Sequence, residues 1–147
     1  VTGALARGLM VGAVVMMVSL FFTRIEIQYP LVMFTVLLLT AVVFALAGMV
    51  NAIFAQKFDD IAIIPTFVLA PLTYLGGVFY SISLLPDYWH KVSVNNPILY
   101  MVNGYRYGML GVSDVSLAMT HGVILVAGAL LFTVCLVLLH RGTGLRT

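Results

Sequence analysis

Charged side chains are scarce in this sequence: Asp, Glu, Lys and Arg make up 8% of its 147 residues, against 63% hydrophobic residues and a mean hydropathy of +1.15. A soluble domain carries roughly a quarter charged residues, because its surface must stay hydrated. Seven basic and five acidic side chains cannot cover a protein of 16.0 kDa, so the uncovered surface faces lipid. A net charge of +2, dispersed along the chain, excludes the basic footprint of a nucleic-acid binder. Cysteine is nearly absent too. The single Cys135 lies in an apolar run, forms no intrachain disulfide and reads as a small buried hydrophobe.

Catalytic patterns are missing as well. No GxxxxGK[ST] phosphate loop occurs, so ATP is not bound here by that motif. There is no HExxH and no cysteine pair, and His90, His121 and His140 stand alone near expected membrane edges, which leaves no metal-ligand set. Ser19, Ser81 and Ser83 lack the context of an activated nucleophile. The chain is therefore read as a non-enzyme that carries no cofactor. It opens on Val1 without a charged n-region or cleavage site, which predicts a piece of a longer chain rather than a signal peptide.

What is abundant is apolar sequence in runs. A hydrocarbon core about 30 Å thick needs roughly 20 apolar residues rising 1.5 Å each. Four segments qualify: Ala4 to Thr23, Leu31 to Phe54, Ile61 to Tyr80 and Ala118 to Leu139. Arg7 sits one turn inside the first, where it can snorkel to the headgroups. Pro30 suits the first turn of the second. The third holds Pro65, Pro71, Gly76 and Gly77, which predicts a kinked helix of the kind membranes tolerate when neighbours satisfy the freed backbone groups. The fold class is thus all-α integral membrane, with about four spanning helices.

Between the third and fourth runs, Ser81 to Leu117 mixes Pro86, Asp87, Lys91, Arg106 and Asp114 with Tyr88, Trp89, Tyr100, Tyr105 and Tyr107. Such a mixture suits the headgroup level and predicts an interfacial segment. Asn96 can cap a helix whose first turn begins at Pro97. That helix places Ile98, Val102, Tyr105 and Met109 on one side and Asn103, Arg106 and Tyr107 toward the other. Running to Leu110, it covers about 21 Å, too short to span. It is expected to dip into or lie on the outer leaflet, with Val102 shielded, Asn103 facing water and Arg106 directed to water, Asp87 or Asp114. Asn96, Pro97 and Arg106 are its candidate functional residues.

Loop charges set the orientation. Arg7, Lys57, Arg141 and Arg146 fall on one side in short loops, and Arg24, Lys91 and Arg106 on the other in longer ones. The denser side is expected to be cytoplasmic, together with the C-terminus. The short loop with Lys57, Asp59 and Asp60 is then a candidate contact for a cytoplasmic partner, although the two aspartates also read as an N-terminal cap for the third helix. Small residues at Ala4, Gly8 and Gly12, and at Ala41, Ala45 and Gly48, offer close-packing faces for helices of the same chain or for another subunit. Ionisable groups are nearly absent from the spans, with Asn51 the most polar deep residue, expected to donate across a helix interface. A transport path without buried charges needs an energy source elsewhere.

The stretch NAIFAQKFDDIAIIP from Asn51 to Pro65 resembles ABC-2-type transport permeases. So do PLTYLGGVFY from Pro71 to Tyr80 and Asn96-Pro97 followed nine residues later by Arg106. The likeness extends along nearly the whole chain and points to bacterial inner-membrane members of that family. It implies six spanning helices with both termini cytoplasmic, of which residues 1–147 would supply helices three to six as a partial transmembrane domain. It also implies a re-entrant or interfacial segment before the last helix, pairing as a homodimer or heterodimer of permease subunits, and a separate or fused ATP-binding subunit. The expected function is the permease subunit of an ATP-driven ABC exporter in the bacterial inner membrane. The alternative is a structural or scaffolding membrane subunit without a transport path.

Overall fold

A computed structural model describes residues 1–142, and Arg146, one of the charges used for orientation, lies outside the described residues. The described chain is all-helical, and four of its helices are long and apolar enough to cross a membrane. They are α1 (Thr2–Phe22), α2 (Pro30–Phe54), α3 (Phe58–Leu75) and α6 (Leu117–His140); α4 (Asp87–Val94) and α5 (Pro97–Leu110) lie between the last two. Pro30 and Pro97 each occupy a first-turn position, where the missing N–H would have no partner. Asn96 caps α5 through Ile98 N–H at 3.0 Å, and Ser116 caps α6 through Met119 N–H at 3.3 Å. Ser116→Ala is expected to cost about 1 kcal/mol, read as a small drop in thermal midpoint in detergent.

α2, α5 and α6 form the packed centre. Val36 and Val43 of α2, Met101 of α5 and Ile124 of α6 make one buried cluster. Gly108 lets α5 approach α2 at backbone distance: a Cβ placed there would lie 2.6 Å from Met33 Cβ and 2.7 Å from Met33 Cα and N. Farther along, Ala45 and Leu46 of α2 are buried, and the buried Cys135 thiol of α6 donates to Leu46 O at 3.6 Å. The α1–α2 loop closes over the end of α5. Tyr29 N–H donates to Gly108 O at 2.9 Å and Gln28 N–H to Met109 O at 3.3 Å, satisfying carbonyls that a helix C-terminus leaves open. Gly111 adopts φ +70 there and ends α5 in the left-handed conformation.

Two expectations need correction. The third span starts earlier and stops sooner than Ile61 to Tyr80, because Gly76 and Gly77 terminate α3 rather than bend it. Gly76 N–H closes a tight turn on Thr73 O at 3.1 Å, and Gly77 at φ +75 turns the chain out of the helix. The irregularity lies lower, at Pro65–Leu69, where the helix widens by one residue and Ala70 N–H reaches back to Pro65 O. The second correction concerns α5. It does not expose Asn103: this residue is fully buried, with Val102 the more accessible of the two. An element packed between α2 and α6 has two buried sides, so one apolar stripe does not tell which polar residue faces out.

Candidate functional site

At the end of the bundle where α2 begins and α3 ends, α4 and α5 fold back as a helical hairpin. Against α5 runs an open groove of about 580 Å³. Leu37, Thr40 and Phe44 of α2 form one wall, and Val102, Tyr105 and Met109 of α5 the other. Thr73 and Val78 approach from the end of α3 and its following turn. The stripe Ile98, Val102, Tyr105 and Met109 expected from the helical spacing therefore lines this groove. Its lining is apolar apart from Thr40, Thr73 and Arg106, which favours apolar ligands held by few directed contacts.

Arg106 stands at the rim and ties three segments together. One nitrogen pairs with Asp114 Oδ2 at 3.5 Å, and another donates to Gly77 O, just past α3. Asp114 in turn accepts from Ser81 Oγ at 2.7 Å. Of the two carboxylates foreseen for Arg106, Asp114 is the one engaged; Asp87 lies in the first turn of α4. Asn103 holds the same loop from inside, accepting Asp114 N–H at 2.9 Å while its amide donates to Leu99 O at 2.9 Å. Asn96 does two jobs. Besides capping α5, its Nδ2 donates at 2.6 Å to Leu72 O, a carbonyl near the helix end where Gly76 N–H has turned to Thr73 O instead.

The structure thus ties Asn96 and Arg106 separately to the end of α3, at Leu72 and Gly77, although Pro97 and Arg106 stand about 14 Å apart along α5; Pro71 is one residue before Leu72. Pro65 lies in the wide turn of α3. Lys57, Asp59 and Asp60 sit at the opposite end of α3, about 27 Å away along an 18-residue helix. There Asp60 accepts from Lys57 N–H at 2.9 Å and Gln56 N–H at 3.0 Å, so its carboxylate fixes the loop and suits the positive helix end. Phe58 beside it is 93% exposed. Sequence reasoning missed the joint role of Asp114 and Asn103, whose only signal is that two polar residues flank a Gly111 helix stop. Asn51 does bond across a helix interface, as expected of it; its partner was not legible in advance. Asn51 donates to Ile61 O at 2.9 Å, and Ile61 precedes Pro65 by four residues, which marks its carbonyl as one that lacks a helical donor.

Apolar spanning helices closed at one end by a folded-back hairpin define a polytopic membrane protein. Residues 1–110 match the ABC-2 type transporter family, and the chain belongs to it. Over all 147 residues it is 51% identical to the inner membrane transport permease YadH of Escherichia coli (strain K12), covering 57% of that protein. The same figures hold for YadH of Shigella flexneri. Nodulation protein J of Sinorhizobium fredii (strain NBRC 101917 / NGR234) is 29% identical over 109 residues, which cover 73% of this chain and 41% of that protein. The chain therefore spans less than two thirds of the length of these relatives. No solved structure matches it.

Proposed function

We propose that this chain forms part of the permease subunit of an ABC exporter in a bacterial inner membrane, driven by ATP hydrolysis on a separate subunit. The observation that carries the reading is the likeness of all 147 residues to part of an inner membrane transport permease, joined to a sequence without a phosphate loop. The groove under the hairpin is a segment of the path, with Asn96, Pro97 and Arg106 shaping its outer end. A second permease subunit completes the path as a homodimer or heterodimer. The hairpin faces outward, and the C-terminus and the Lys57, Asp59, Asp60 loop face the cytoplasm. Single cysteines in a Cys135→Ala background test this orientation: an impermeant thiol reagent applied to intact cells should label position 91 and spare position 57. The reverse pattern overturns it.

The ATP-hydrolysing partner is expected at the Lys57 loop, where Phe58 is 93% exposed and an aromatic buried by a partner can carry much of an interface's energy. Affinity-purified protein should retain an ATPase, and Phe58→Ala should lower its retention roughly tenfold, the loss of about 1.4 kcal/mol that an aromatic anchor supplies. Purification without any ATPase would favour the structural subunit instead. Unchanged retention in Phe58→Ala would move the contact elsewhere.

A further inference from the structure

α3 is held near its two ends by different means. At the hairpin end, Asn96 donates to Leu72 O, Arg106 donates to Gly77 O, and Gly76 lies against Ile98. Toward the other end the side-chain hydrogen bond across to α2 is a single one, Asn51 Nδ2 to Ile61 O at 2.9 Å. Between these attachments Ile61 through Val68 are exposed, and Pro65–Leu69 form the widened turn. A turn of this kind stores an irregularity in the hydrogen-bond ladder and so bends more readily than regular helix.

The Asn51 bond has a specific cause. In a regular helix Ile61 O would accept from the N–H of residue 65, and proline has none. Ile64 at φ −64, ψ −48 and Pro65 at φ −56, ψ −43 keep helical geometry, so the carbonyl remains aimed at the place where the missing donor would stand. In a membrane this acceptor has no water to turn to. Asn51 supplies the proton from the neighbouring helix.

We propose that Asn51 and Pro65 form a releasable latch. With the bond made, the half of α3 before the wide turn is held to α2. With it broken, that half swings on Pro65–Leu69 while the hairpin half stays anchored through Asn96 and Arg106. The proline strengthens the device, because a residue with its own N–H would give Ile61 O a second donor within α3 and weaken the hold of Asn51. The loop from Gln56 to Asp60 is continuous with the swinging half. Its use as a handle by an ATP-hydrolysing partner rests on the transport reading above, whereas the latch itself does not.

Paired nitroxide labels in the Cys135→Ala protein test the latch without any transport assay. One pair, at Ile63 and Leu136, reports on the swinging half; the other, at Tyr74 and Met119, reports on the anchored half. All four positions are exposed. Asn51→Leu should shift the first pair to longer distances and leave the second unchanged. Pro65→Ala alone should move the first pair in the same direction by a smaller amount, because Ile61 O then has a donor within α3 and holds Asn51 less tightly. Should Asn51→Leu fail to insert, Asn51→Asp keeps the shape, loses the amide donor and should give the same shift. The proposal is overturned if Asn51→Leu does not move the first pair, if both pairs move together, or if Pro65→Ala leaves the first pair unmoved.

Discussion

Gly108→Leu is expected to prevent α5 from seating against α2, with loss of the folded bundle in detergent. Even Gly108→Ala should lower stability by about 1–3 kcal/mol, the usual cost of forcing atoms into a closed contact. The reason is the identity of the obstructing atoms. A new Cβ would meet the backbone of Met33 at 2.7 Å, and backbone cannot rotate away as a side-chain tip can. Thermal unfolding in micelles measures the effect. Gly48→Ala and Gly122→Ala are the controls, since nothing lies within 4 Å of a Cβ at either position. They should be neutral or gain roughly 0.5–1 kcal/mol from helix propensity. If Gly108→Ala behaves like these controls, the α2–α5 contact is looser than described.

Asp114→Ala should be comparably damaging. Its carboxylate accepts from Arg106 and from Ser81, and both partners would lose a charged acceptor at once. Hydrogen bonds to charged groups contribute about 1.5–3 kcal/mol each in partly buried sites. Exposures of 23% and 20% for the Arg106 and Asp114 side chains place the net loss toward the lower end of that range. Arg106→Leu alone should cost a similar amount, and the double variant less than the two singles combined, because no lone charge is left behind. Strict additivity in that cycle would mean that the pair contributes nothing as a pair. Asn103→Leu belongs to the same network but acts through neutral bonds: it should strand Asp114 N–H at about 1–3 kcal/mol, while Leu99 O keeps its helical donor, the backbone N–H of residue 103.

Much of this architecture is visible in the amino-acid order, for reasons that differ by element. Long apolar runs announce α1, α2 and α6 because lipid imposes one requirement along their whole length. The Asn96-Pro97 start of α5 is local chemistry and is equally plain. α4 is not, since eight residues, half of them polar, leave too little periodicity to separate a short helix from a turn. The glycine pair at the end of α3 shows a different limit. Gly in a membrane segment is compatible with bending, close packing or stopping, and the positive φ that decides among these at Gly77 depends on the path the chain takes next. Asn103 defeated one-stripe reasoning because its partners, Leu99 O and Asp114 N–H, are backbone atoms that carry no residue signature. The Arg106–Asp114 pairing was within reach, as one of two carboxylates in the same segment.

The seam between α2 and α6 also bears on the order of synthesis. Leu46 and Cys135, joined there through the thiol, are separated by 89 residues. A ribosome adding about 5–20 residues per second needs roughly four to eighteen seconds to cover that interval. Throughout it α2 must wait in the bilayer without the last helix, which completes the burial of Val43 and Leu46. Its one deep amide waits far less, since Ile61 emerges ten residues after Asn51. The nascent α2–α3 pair can therefore shelter its most lipid-averse side chain almost immediately, whereas the apolar seam, which lipid solvates at no penalty, is left until the last helix arrives.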